Sequence, residues 1–358
     1  MKLLSLAGVL LIGRQFTTGL LVKQYNCDNY ILAWCQLYNV TIQSDKDLQS
    51  VVFPRVRQVG FLNGSIPVFS HLMNLSLFNA GVLKVFARGT TVNRLTLPNT
   101  IDQLYFRDNN MFSVEIDPKA SYTIKYLRIH VNKLRDITNF KHLKNLVELN
   151  LCDNLIEHIS FDTFAEMTQL KQLLLCGNRI RTITATLDIN LPNLYHLDLS
   201  SNYLFNKTSL DRWNFPRLGN FSLRDNLITN LDVQAIAQRF RSLQILDVEH
   251  NSLDCSTYRD LLELVQQRSI IYNVDKRACS APTVVPTTGV FRRFTPVDSA
   301  GNVDPQEQQI RQLKERIYQQ VKIINNQRTE IDQLRNNLSA LMEQFDLVAG
   351  PAQASERL

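Results

Sequence analysis

Two cysteines hold positions in this chain from which they could do chemistry. Cys152 and Cys176 lie in "LVELNLCDNLI" and "LKQLLLCGNRI", 24 residues apart, each two residues before an asparagine. A thiol pair repeated at one position permits three outcomes. The two could bridge, if their side chains lean together across neighbouring strands. They could stay free, open to another chain. Or His130, one repeat upstream, could join them in a metal site or a Cys–His dyad. A dyad needs an orienting group and a pocket, and an open sheet offers neither. The bridge therefore ranks first, free thiols second, and metal or catalysis last.

The elements that must carry these cysteines follow from their spacing. The pattern L-x-x-L-x-L-x-x-N starts at Leu146, Leu170, Leu194, Leu218 and Leu243, in steps of 24, 24, 24 and 25 residues. Its asparagines are Asn154, Asn178, Asn202, Asn226 and Asn251. Weaker copies start at Ile124, Ile101 and Leu72, and a degenerate one at Val56. A fixed period of this length predicts an α/β leucine-rich repeat solenoid, or horseshoe, over 56–253. Each L-x-L is a short strand whose leucines point inward. The asparagine then turns the chain and satisfies backbone groups that water cannot reach. Phe161 and Phe164 should fill the convex side. One coil cannot bury its own leucines, so stacking makes the core and the ends need caps. Cys27 and Cys35 bracket an N-terminal cap within 20–55. Cys255 and Cys279 bracket an amphipathic helix around Leu261, Leu262 and Val265, a C-terminal cap over 254–280 with those two cysteines joined.

The third, fifth and seventh positions of each frame project from the concave sheet. In the frames above, the columns begin with Asn74, Ser76 and Phe78. Further along, Tyr105, Arg107, Tyr126, Arg128 and His130 form an aromatic–basic half, and Asp198, Asp247 and Glu249 an acidic half. Tyrosine and arginine are enriched at binding hot spots, so the first group is the candidate partner-binding site. Solvated strand residues would carry the same letters.

The ends of the chain differ from its middle. "MKLLSLAGVLLIGRQFTTG" has a basic start and a short apolar run, which describes a secretory signal peptide over 1–19. Six cysteines and N-x-S/T acceptors at Asn39, Asn63, Asn74, Asn206, Asn220 and Asn337 agree with export. No later apolar stretch is long enough for an anchor, so a soluble extracellular protein is expected. The net charge of +6 is modest and spread out, which argues against a nucleic-acid partner. A Pro/Thr-rich linker spans 281–303. Beyond it, apolar residues alternate at 3–4 spacing over 304–348, with a ten-residue tail at 349–358. Ile310, Ile317, Ile324, Ile331, Leu338 and Phe345 take position a, and Leu313, Leu334 and Leu341 take d, a coiled coil of about 60 Å. Gln320 and Gln327 weaken its d column. Basic Lys314, Arg328 and Arg335 at e lack acids opposite them apart from Glu330. A related chain should therefore pair better than a second copy, giving a heterodimer, with a weak homodimer when the chain is alone.

In the order of its parts the chain resembles the mosquito leucine-rich repeat immune proteins, and matches the family's shorter members. The resemblance implies a secreted haemolymph protein of innate immunity, no enzyme, which binds complement-like thioester proteins and pairs through its coil. Relatives also carry an interchain disulfide near the coil, but no cysteine occurs between Ala281 and Leu358 here. A covalent link would have to use Cys152 or Cys176. The other class is a secreted structural or matrix protein, in which the coil serves assembly. No serine–histidine–aspartate, phosphate-loop or paired-carboxylate set stands out, and no cofactor is expected.

Overall fold

The computed structural model describes residues 22–31, 34–205 and 210–273. The signal segment, Asn206, Cys279, the linker, the coiled coil and Asn337 lie outside the described residues.

Among the described residues twelve strands form one sheet in chain order, from Asn29–Ile31 to Ile271–Asn273. The first pair is antiparallel, Asn29–Ile31 against Trp34–Tyr38, and the pairs after it are parallel. Parallel neighbours in register follow from the constant repeat. Leu127 pairs with Leu149, Leu149 with Leu173, and Leu173 with Leu197, so equal letters stack along the core. Leu146, Leu149, Leu151 and Ile156 of one coil are fully buried. Each such side chain stabilises by about 1.5–3 kcal/mol, but only against a neighbouring coil. The returning segments fill the other side with rings. Phe161 stacks on Trp213 at 4.3 Å, and Phe215 on Phe240 at 6.0 Å.

The asparagines form a ladder between coils. Asn178 Nδ2 donates to the carbonyls of Leu151, Leu175 and Cys176, at 2.9, 3.0 and 3.1 Å, and Asn178 Oδ1 accepts the Ile156 N–H at 3.1 Å. Asn154 and Asn202 repeat this arrangement one coil to either side. One position before each asparagine the backbone is left-handed. Asp108, Val131, Asp153, Ser201, Asp225 and His250 all have φ between 52° and 59°. Asn, Asp and Gly tolerate that conformation, whereas the β-branched Val131 does not.

One repeat was misplaced by the sequence pattern. The copy expected at Leu72 is a helix, His71–Asn79, whose N-cap Ser70 accepts the Met73 N–H. The sheet strand of that coil is Lys84–Arg88. "LMNLSLFN" alternates like a strand but also places Met73 and Leu77 four apart, and both are fully buried. The true frame starts at Val82, with Ala87 in place of a leucine and Thr90 in the asparagine's place. Thr90 keeps the ladder, since its N–H and hydroxyl both donate to Asn109 Oδ1. The degenerate frame at Val56 holds, giving strand Gln58–Leu62 with Gly64 in the asparagine's place. A Cβ at Gly64 would lie 2.3 Å from the Val40 carbonyl oxygen.

Cys27 and Cys35 are joined in the N-terminal cap. At the other end the helix Cys255–Arg268 buries Leu261, Leu264 and Val265, and Asp254 caps it by accepting the Thr257 N–H at 2.7 Å. Cys255 is not a free thiol. Ile271–Asn273 then adds the last strand of the sheet, an element with no repeat motif of its own.

Candidate binding face

Cys152 and Cys176 are bridged, with Cα atoms 4.5 Å apart. Strands in register bring the two backbones together, and the seventh position points both side chains to one face. The bridge consumes both thiols, which removes the free-thiol and metal alternatives. Among the described residues no group of three His, Cys, Asp or Glu side chains is placed to hold a metal ion.

On one side of the bridge lies the aromatic–basic group. Tyr126–Arg128 pairs with Gln103–Arg107 on one flank and Glu148–Asn150 on the other. Arg128 is bound on both sides. Its Nε and Nη2 donate to Glu148 Oε1 and Oε2 at 2.6 and 2.9 Å, and its guanidinium lies 4.8 Å from the centre of the Tyr105 ring. The forked pair and the ring fix this side chain in one pose. Tyr105 OH donates to Gln103 Oε1 at 3.0 Å. His130 is half-buried, and its Nδ1 has no hydrogen-bond partner among the described residues. Burial, with Arg107 and Arg128 adding to it, lowers its pKa from 6.5 to about 4. At neutral pH it is therefore an uncharged ring beside two guanidiniums.

The misplaced repeat changes who shares this face. Asn74, Ser76 and Phe78 leave it, and Lys84, Phe86 and Arg88 take their places. Trp34 also reaches it, with its ring 6.3 Å from both Phe86 and Tyr105. Three rings thus continue the column that ends at Arg128. The signal for them was present in the frame at Val82 and in the Trp34–Tyr38 strand with the bend after it, where Cys35 and Val40 take the places of leucine and asparagine. Tyr126 and Arg107 lie on the same face, both partly exposed.

Beyond the bridge the face is acidic, but not bare. Arg224 contacts Glu249 and, at 3.2 Å, Asp225 Oδ2. His250 Nδ1 lies 2.6 Å from Asp225 Oδ1. Burial lowers the pKa of His196. Of the acceptor asparagines, Asn39 and Asn63 stand in exposed turns and Asn220 is partly exposed on its strand. Asn74, expected on the concave face, is instead buried in its helix, donating to the Thr96 carbonyl at 2.7 Å.

Residues 123–180 match the leucine-rich repeat family model. No curated protein matches. Among solved structures, the LRIM1 leucine-rich repeat domain aligns at 21% identity and TM-score 0.50, over 66% of this chain and 73% of its own. The APL1B leucine-rich repeat domain aligns at 21% identity and TM-score 0.48, over 69% of this chain and 66% of its own. An LRIM1/APL1C complex aligns at 20% identity and TM-score 0.48, over 87% of this chain and 53% of the matched chain. The in-register sheet, the asparagine ladder and the repeat match together make the described residues a leucine-rich repeat solenoid.

Proposed function

We propose that this chain is a secreted innate-immune recognition or carrier protein that binds protein partners through the concave half bearing Trp34, Phe86, Tyr105, Arg107, Tyr126, Arg128 and His130. The observation that carries this reading is the clustering of four aromatic rings and several cations on one rigid sheet. Large aromatic side chains lose little freedom on binding, and desolvated arginines act as anchors. Export is supported by the bridges Cys27–Cys35 and Cys152–Cys176, which belong to oxidising compartments. Among the described residues no helix is long and apolar enough to cross a membrane. By family resemblance the partner is a complement-like thioester protein, and the coil pairs this chain with a related one.

The test uses purified thioester protein titrated onto the full chain. Arg128 is a poor probe, because its loss strands Glu148, a buried carboxylate. Lys84→Glu with Arg107→Glu reverses charge on the face without breaking that pair. About 1–3 kcal/mol should be lost, at least tenfold in Kd. Arg181→Glu, in an exposed position off this face, should change little. Equal losses at the two places would move the site elsewhere.

A further inference from the structure

The returning side of the solenoid, away from the concave sheet, carries a cleft of about 350 Å³ lined by Trp213, Asn214, Pro216, Gln238, Arg239 and Arg241. That volume is within the range of small-ligand sites. Its walls are fixed by the core. The Trp213–Asn214 strand pairs with Ile189–Asn190, and Trp213 stacks on Phe161 and on Phe215, at 4.3 and 5.2 Å. Phe240 packs inward on Phe215 and Phe221, so Arg239 and Arg241, on either side of it, are turned out to the cleft.

The charges here are unbalanced. Neighbouring Arg212 is paired with Asp188 at 3.3 Å, and Arg217 donates to Asn193 Oδ1 at 3.1 Å. Among the described residues Arg239 donates only to the Trp213 carbonyl, at 3.5 Å, and neither Arg239 nor Arg241 has a carboxylate partner. No acid lines the cleft. Trp213 is 1% exposed, and its indole N–H is buried with no acceptor among the described residues. That N–H is sealed in the core between Phe161 and Phe215 and forms the floor beneath the cleft rather than part of its open wall. Asn214 Nδ2 is already committed to Asn190 Oδ1 at 3.0 Å. The donors that remain on the cleft wall are two guanidiniums and the Gln238 amide, with no carboxylate among the lining residues.

We propose that this cleft binds a compact oxyanion, a sulfate, phosphate or carboxylate group, held between Arg239 and Arg241 against the wall formed by the Trp213–Asn214 strand. Planar guanidiniums match the geometry of such groups. The oxyanion could be free or could belong to an anionic glycan. This site is separate from the concave face and does not depend on it.

The chain has two tryptophans, Trp34 and Trp213, so the ¹⁵N-tryptophan-labelled full chain gives two indole signals. The Trp213 signal is the one lost in Trp213→Phe or, if that variant fails to fold, the one surviving in Trp34→Phe. Sodium sulfate, sodium phosphate and a sulfated oligosaccharide are titrated at constant ionic strength. The Trp213 signal should shift saturably, and Arg239→Gln with Arg241→Gln should weaken binding at least tenfold while leaving the melting curve unchanged. Saturation by the simple salts supports a free ion, and saturation by the oligosaccharide alone supports a glycan-borne group. Arg107→Glu should titrate like the natural chain. Absence of a saturable shift, or an unchanged titration in the double variant, overturns the proposal.

Discussion

Asn178→Ala should be among the most costly single changes in the repeats, though less costly than its hydrogen bonds suggest. Asn178 makes four of them, and at about 1 kcal/mol each the loss would be about 4 kcal/mol. Three of its partners, however, are shared. The Leu151 carbonyl also accepts from Asn154 Nδ2, the Leu175 carbonyl from Asn202 Nδ2, and the Cys176 carbonyl from the Asp153 N–H. Only the Ile156 N–H has Asn178 as its sole acceptor among the described residues. Alanine thus strands one buried donor, at about 1–3 kcal/mol, and weakens three carbonyls that keep a partner. The expected loss is about 3 kcal/mol. Asn251, near the end of the stack, makes the same contacts but is partly exposed, so water can replace its amide. Asn251→Ala should cost about half as much. Urea unfolding followed by far-UV dichroism measures both losses, and hydrogen exchange at the Ile156 amide reads the stranded donor directly. If the two variants lose equal stability, or if Ile156 stays protected in Asn178→Ala, the ladder is not the source of the energy.

Other expected outcomes concern backbone and charge. Val131 is left-handed at φ 55°, where a β-carbon costs about 1–2 kcal/mol, so Val131→Asn should stabilise by about 1 kcal/mol in calorimetry. Gly64→Ala should destabilise by about 1–3 kcal/mol in the same assay, because the contact it creates is with backbone and cannot rotate away. His130 stays neutral in the fold down to about pH 4, whereas the unfolded chain binds its proton near pH 6.5. Its contribution is therefore intact above pH 6.5 and lost progressively between pH 6.5 and 4, by up to about 3 kcal/mol. Urea midpoints across that range should fall less steeply in His130→Gln. Parallel slopes would show that the imidazole titrates normally.

How much of this was legible depended on which letters carried the period. From Leu146 onward leucine and asparagine hold their places, and sheet, register and ladder follow directly. The pairing of Cys152 with Cys176 came from the same regularity, because a shared column in adjacent parallel strands leaves their Cα atoms within bridging distance. Around residue 80 the period is carried by Val82, Val85, Ala87 and Thr90, none of them leucine or asparagine. A helix with strand-like alternation stands just before them and drew the frame to itself. That shift hid Lys84, Phe86 and Arg88, and with them the link from Trp34 to Tyr105. Individual columns do not show which neighbours lean together, so the fork between Arg128 and Glu148 was out of reach even though both residues were placed correctly. The cleft beside Trp213 was invisible for another reason: its returning segments keep the 24-residue spacing, as in Ile189 beside Trp213, but carry no fixed letters at it.

The bridge between Cys152 and Cys176 has a consequence under tension. It closes a 24-residue loop across one full coil of the solenoid. If the chain were pulled from its ends, the coils on either side would unravel to full contour, but this loop would stay out of the force path. This bridge alone would shorten the fully extended chain by about 80 Å, at roughly 3.3–3.6 Å per residue. A partner held beside the bridge would therefore sit on a coil junction that stretching cannot pull apart.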